Sequence, residues 1–538
     1  MRPYSLWRGR AALLLTLAAA FFLESQSLAA ATRPTPPDVF RDTLRIGIGI
    51  RPDTLEPSQV TNAAVASLLE HVVETLVTVD ENGRIMPRLA ERWQVSKDGR
   101  ELTFYLPRGV TFQDGTPLNA AAVVWNVNRL QARVAQVARC PVAAELGALQ
   151  SVEALDETTV RYSLSRFVPN FLATLSWIAW GILSPQSVNL PDNQLFNMQH
   201  PVGTGPYTFV ALTTDQLQLH RFDGYRGERP YFGNLAFKLI SSTQEREAGL
   251  ATGQLDVIVL PSAQQLPVLA QDPRFEVFSR PSLRTIVVNL NNQKPPFNDV
   301  RVRRAVNMAI DKQALTDQVL QGAATVMDAP VAPGVFGYCP IGFYHYDPAA
   351  ARSLLAEAQV APGTHLRMLT PRGRYLEDEA VAQRIAVYLR DVGFDVTVEP
   401  LEWPALMGEL SRPPEQVTAD LHLSGWAPTF PDAGWQLPQL YDSKKWPPLG
   451  PASSFYRNTE VDSLLDAAGR EPDPTLRRNL FCDAEQRIWA DAAAAFLWVQ
   501  SFPVVAKAGL TNIVALPTEK ISVAFAKPVS PVLEGRPR

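Results

Sequence analysis

Cysteine is scarce in this chain: Cys140, Cys339 and Cys482 are the only three in 538 residues. Three is too few for a disulfide scaffold, and their wide spacing excludes a zinc knuckle. One bridge with one free thiol, or three buried thiols, both stay open, and the sequence does not choose a pair. Histidine is equally thin. His71, His200, His220, His345, His365 and His422 form no HExxH motif or other close pair, so metalloprotease chemistry has no support. A GxSxG elbow and a GxxxxGK[ST] loop are also missing, which removes the usual serine-hydrolase and nucleotide-binding readings. No Lys/Arg cluster marks a face for nucleic acid or an anionic membrane surface. Tandem repeats, low-complexity tracts and Gly/Ser linkers are absent too, so any lobes must be joined by crossing strands.

A long apolar run occurs once, at the N-terminus. Arg2, Arg8 and Arg10 form a basic region, Ala11 to Leu23 an apolar one, and Ser27 to Ala31 a small-residue cleavage region, the pattern of a secretory signal peptide over residues 1–31. The run is shorter than the roughly 20 residues a membrane crossing needs. No cysteine stands near the cleavage point for a lipid anchor. Loss of Arg2, Arg8, Arg10 and Glu24 takes the formal charge from −4 to −6. With 46% apolar residues, the remaining length supports more than one hydrophobic core.

The mature chain reads as α/β. A strand over Leu44–Ile50 is followed by a proline-bounded loop (Arg51–Pro57) and a helix from Asn62 through His71. Around Thr243–Leu260 a helix closed by Gly253 feeds an apolar strand. The same order recurs over Glu379–Val398 after a strand at Leu366–Leu369, giving two βαβ-like neighbourhoods. Arg284–Asn292 is the best candidate for a strand crossing between lobes. The helix that follows has Asp299 as N-cap and an apolar stripe of Val302, Ala305, Val306, Ala309 and Ile310; Arg301, Arg303 and Arg304 lie off the stripe and read as solvated. In the earlier segment Arg88–Leu130, Leu102, Phe104 and Leu106 alternate with Thr103 and Tyr105. Turns at Lys97-Asp98-Gly99 and Asp114-Gly115-Thr116 flank that strand, and Asn119 caps a helix.

The wording of Arg88–Leu130 closely resembles a segment of the extracellular solute-binding proteins of family 5, the oligopeptide, dipeptide and nickel type. HPVGTGPY (200–207), GLATGQLDVIV (249–259), PFNDVRVRRAVNMAIDKQAL (296–315) and SGWAPTFPD (424–432) follow in the family's order. The resemblance implies an α/β, two-lobed clam shell of the type II periplasmic-binding-protein class with an extra subdomain. Its partition would be a discontinuous lobe I (41–70, 195–290 and 499–538), an accessory subdomain (71–194) and lobe II (291–498). It also implies a monomer without cofactor, located in the periplasm, that captures a small molecule or short peptide and delivers it to the transmembrane subunits and ATPase of an ABC permease. No enzyme activity is expected. Nickel chelates, oligosaccharides and opine-like conjugates are carried by similar shells, and sensors or chaperones use them too.

Candidate ligand contacts follow from this frame. Trp426 ends a strand at its C-terminal edge, where ligand stacking and lobe packing are both open. Peptide-binding relatives place an aspartate three residues after this tryptophan to hold the ligand's amino group; here the position is Thr429, with Asp432 as a possible substitute. A hydroxyl cannot neutralise a buried ammonium, and an unpaired buried charge costs about 3–5 kcal/mol. Thr204 and Tyr207 belong to a glycine turn, Asn289 and Asn291 to the crossing strand. Arg372 and Arg374 follow a strand and could grip a carboxylate bidentately.

Overall fold

The computed structural model describes residues 42–60, 62–80, 84–134, 142–194 and 196–529. Residues 1–31, read as a signal peptide, and Cys140 lie outside them. Two sheets dominate. The first has seven strands in the order Phe275–Phe278, Val504–Lys507, Val257–Val259, Thr43–Ile48, Asn234–Leu239, Gln216–Arg221 and Tyr207–Leu212. Its centre is parallel: Thr43–Ile48 pairs in parallel with both neighbours. Leu44 and Ile46 are fully buried there.

The second sheet has six strands: Ala324–Val326, Ala494–Ser501, Pro281–Leu290, Leu421–Trp426, Thr364–Pro371 and Phe394–Leu401. Pro281–Leu290 lies in its middle, antiparallel to both neighbours. Side chains alternate across a strand, and here both faces are covered. Ile286, Val288 and Leu290 join the cluster containing Val302 and Ile385, whereas Leu283 and Val287 join the one containing Phe481 and Phe496. A strand apolar on both faces belongs inside a sheet, and residues 281–290 run within the second one. The chain crosses between the two sheets at residues 279–280, and back at 502–503.

A four-stranded antiparallel sheet, Arg92–Val95, Glu101–Tyr105, Thr159–Leu164 and Leu149–Ala154, carries the Arg88–Leu130 segment. Leu102 and Phe104 are buried and Phe104 packs edge-on against Tyr162. Gly99 and Gly115 take the positive φ of the flanking turns, and Asn119 Oδ1 accepts from the Ala122 amide to start the helix Ala120–Val134. A buried ion pair, Glu56 with Arg129 at 2.9 Å, ties the proline-bounded loop to this helix.

Asp299 caps the helix Val300–Ala309, and its apolar stripe enters the second sheet's core. Of the three arginines read as solvated one is corrected: Arg301, paired with Asp299, and Arg304 are exposed, but Arg303 is not. Arg303 is buried and donates to the carbonyls of Phe297, Asp491 and Ala492, while Arg304 donates to Ala490. The Ala490, Asp491 and Ala492 carbonyls lie at the C-terminal end of the helix Pro474–Ala490, where cations meet both the orphan acceptors and the negative dipole end. Cys339 and Cys482 form a disulfide onto the same helix.

Two histidines are locked neutral. His71 Nδ1 bonds the Ser67 carbonyl and its Nε2 accepts from the Val523 amide; His422 Nε2 meets Asn289 and Ser453. Burial holds His71 down to about 4 and His422 to about 3. The unfolded chain therefore binds more protons below pH 6.5, and stability is lost as pH falls through this window. Glu145, pushed up to about 7 by burial, acts in the opposite sense, so the histidine share is read from variants. Between pH 7 and 5 the loss in unfolding free energy, measured by urea denaturation, is expected to be about 2 kcal/mol smaller in His422→Gln than in the parent. Equal losses would contradict a neutral buried imidazole.

Candidate functional site

At the crossings, loops from both sheets enclose a cavity of about 50 Å³. Its walls come from the ends of the parallel strands Thr43–Ile48 and Val257–Val259, the helix Ala63–Leu69, and the loop after Thr364–Pro371. This is the edge where open α/β sheets hold ligands. A larger hollow of about 380 Å³ lies beside Gln113, Asp114, Asp192 and His200. It is open to solvent, and its carboxylates already have partners: Asp114 accepts from Thr116 and Ser184, and Asp192 faces His200 at 3.3 Å. The smaller cavity is the better site because its charges are buried and unequal.

Three arginines line it. Arg284 rises from the central strand Pro281–Leu290 and meets Glu519 at 2.5 and 2.6 Å, both side chains nearly fully buried. Burial opposes the Arg284 charge, yet the Glu519 carboxylate outweighs it and holds the guanidinium above its usual range. Arg246, on the helix Thr243–Ala251, donates to the carbonyls of Ile240, Ser241 and Leu260; burial lowers it to about 10. Arg374 has no carboxylate within 4 Å among the described residues. Its guanidinium lies over Tyr375 and Trp403, and burial followed by repulsion from Arg284 lowers its pKa. The Asp378 carboxylate fixes the loop that carries it by accepting from the amides of Gly373, Arg374 and Tyr375. The site therefore holds an excess of positive charge in a low-dielectric setting.

The expected contacts divide around this geometry. Trp426 is the last residue of its strand, and the preceding carbonyl of Gly425 accepts from Arg284 and the Tyr375 hydroxyl. Trp426 Nε1 and Thr429 Oγ1 are buried without partners. Asp432 does not suit an amine-holding role: it caps the helix Ala433–Tyr441 and forms a bidentate pair with Arg477 at 2.7 and 2.8 Å. Arg372 points outward to Glu379 and Glu402, so of the two arginines Arg374 is the one at the cavity.

Asn289 and Asn291 sit at the other end of the strand from Arg284, bonded with His422 and with the Asp420 carbonyl and Gln293 amide respectively. At about 3.3 Å per residue, Asn291 is on the order of 20 Å from Arg284. Thr204 and Tyr207 are buried in the first sheet's surroundings. Thr204 Oγ1 donates to Glu74, and the Tyr207 hydroxyl donates to the Phe232 carbonyl. Glu74 also takes Arg88 and Arg226, which hold it below the usual carboxylate range against the effect of burial. The glycines of this turn serve close approach: a Cβ at Gly203 would stand 2.2 Å from the Val72 carbonyl oxygen. Arg246, Arg284 and Glu519 were missed. Arg284 carries one signal, a charge at the head of an apolar strand; Glu519 carries none, since its partner is 235 residues away.

Among the described residues no helix is long and apolar enough to cross a membrane, and no group of three or more His, Cys, Asp or Glu is placed to hold a metal. Residues 84–448 match the model of the bacterial extracellular solute-binding proteins, family 5 middle. The chain is 28% identical over 475 residues to a glutathione-binding protein of Pectobacterium atrosepticum, covering 88% of this chain and 91% of that one. Its structure is similar to an ABC transporter-associated periplasmic binding protein from Helicobacter pylori in complex with the peptide STSA (TM-score 0.80, 25% identity, 91% and 98% covered). It is also similar to a dipeptide binding protein from Pseudoalteromonas sp. SM9913 in complex with Met-Leu (TM-score 0.82, 23% identity, 90% and 100% covered). The architecture is the type II periplasmic-binding-protein fold, and the relatives are binding proteins rather than enzymes. The chain belongs to the bacterial extracellular solute-binding proteins of family 5.

Proposed function

We propose that this chain is the periplasmic substrate-binding component of an ABC import system, exported by a cleaved signal peptide. It captures a peptide-like solute by closure of its two sheets and presents the closed form to the transmembrane subunits of a permease driven by its ATPase. The solute leaves unchanged. One observation carries the reading: Arg374 is a half-buried guanidinium with no carboxylate within 4 Å among the described residues, on a cavity flanked by the crossings between the sheets at 279–280 and 502–503. An uncompensated charge in such a setting costs several kcal/mol, and a solute carboxylate relieves that cost through two parallel hydrogen bonds.

The relatives named for glutathione and peptides support a solute of this size and kind. A cavity of about 50 Å³ is too small for one, against the several hundred typical of ligand pockets, so the sheets part at residues 279–280 and 502–503 to admit it. Ligand binding then shifts an open–closed equilibrium.

Native mass spectrometry of the purified protein is expected to find a retained small solute, and small-angle scattering a smaller radius of gyration with that solute than after its removal. An unchanged radius with every bound compound would contradict closure. Arg374→Ala is expected to weaken that solute's affinity by about 1.5–3 kcal/mol, roughly ten- to hundred-fold, with a solute-free melting temperature no lower than the parent's. Unaltered affinity would remove Arg374 from the site.

A further inference from the structure

Glu519 is the one carboxylate among the described residues lining the cavity, and Arg284 neutralises it. The neighbouring acids are engaged as well. Asp378 accepts from backbone amides, Glu377 from the Ala263 amide, and Asp432 from Arg477 and the Gly434 amide. The unsatisfied groups include cationic and N–H donors, together with hydroxyls that can donate or accept and acceptors such as Gln436 Oε1. Arg374 has no acidic partner. Trp426 Nε1 and Thr429 Oγ1 are buried and unbonded, as are Thr174 Oγ1 and the indole nitrogens of Trp177 and Trp180. An indole N–H can only donate, and buried polar groups left unbonded in a folded protein call for an explanation.

The two sets of orphans lie on segments that pack together. Phe430 and Trp435, which flank Asp432, form one apolar cluster with Val79, and Ala173 packs against it. Thr174 is the next residue, fully buried, and Trp177 and Trp180 follow it at 2% and 3% exposure. Resting on the reading that this cleft is the solute site, we propose that it selects an acid whose amino group is substituted. Arg374 takes one carboxylate, and the donors of Trp426 and Trp177 take acceptor oxygens on the substituent. A free ammonium would meet a surplus of cations and N–H groups with no carboxylate to receive it, a repulsive element that excludes ordinary peptides.

The probes are Gly-Leu, N-acetyl-Gly-Leu and N-succinyl-Gly-Leu, titrated calorimetrically into the mature protein. The succinyl compound is expected to bind at least ten-fold tighter than Gly-Leu, with the acetyl compound between them. Trp177→Phe and Trp426→Phe each remove one N–H while keeping an aromatic ring, and each should weaken the succinyl compound three- to ten-fold while leaving the Gly-Leu affinity unaltered. Thr429→Asp supplies a carboxylate and should narrow or invert the preference. Gly-Leu binding as tightly as the succinyl compound, or no binding by any of the three, overturns the inference; the mass-spectrometric and scattering measurements above then show separately whether the cleft binds solutes at all.

Discussion

The buried pair of Arg284 with Glu519 is the constraint on which the rest of the site depends. A charge in a low-dielectric interior must find a partner or leave the protein strongly destabilised. Arg284 stands on the strand that both apolar clusters of the second sheet share, so it cannot turn to solvent without disturbing that strand. Glu519 reaches it from the C-terminal segment and also accepts from Ser282. One carboxylate is thereby withdrawn from solute chemistry and one guanidinium is silenced. What remain at the cavity are Arg246, whose N–H groups go to backbone carbonyls, and Arg374, held in place through Asp378 and flanked by two aromatic rings.

This division of charge suits a protein that opens and shuts. The crossings at 279–280 and 502–503 adjoin strands that belong to rigid sheets, and Arg284 lies a few residues from the first of them. A neutralised pair near a hinge keeps the floor of the cleft fixed, whereas an unneutralised arginine on a neighbouring loop of the same sheet gains free energy only when an anion arrives. Differential affinity of that kind is what shifts an open–closed equilibrium toward the closed form.

Much of the fold was legible because it is periodic. The stripe Val302–Ile310 and the alternation Leu102–Leu106 carry their burial in their spacing. The site was less so, for physical reasons visible at single residues. Arg372 and Arg374 are two positions apart, and which faces the cavity is decided by how Asp378 pins the turn between them. Asn289 and Asn291 were placed by strand membership alone; pairing with Leu421–Trp426 sets which end of the strand meets the cavity, and it is the end at Arg284. Arg303 looked solvated because its partners are carbonyls, that of Asp491 188 residues away, and a carbonyl leaves no trace in a sequence. Trp426 and Thr429 stood out by motif, but only the structure shows their polar atoms buried and unbonded.

The most direct measurement is a crystal structure of the protein with the solute it retains on purification. The account predicts a solute carboxylate within hydrogen-bonding distance of the Arg374 guanidinium, the Arg284–Glu519 pair intact beneath it, and an acceptor oxygen near Trp426 Nε1. A solute whose carboxylate is held elsewhere, or whose ammonium rests on Glu519 or Asp432, would contradict it.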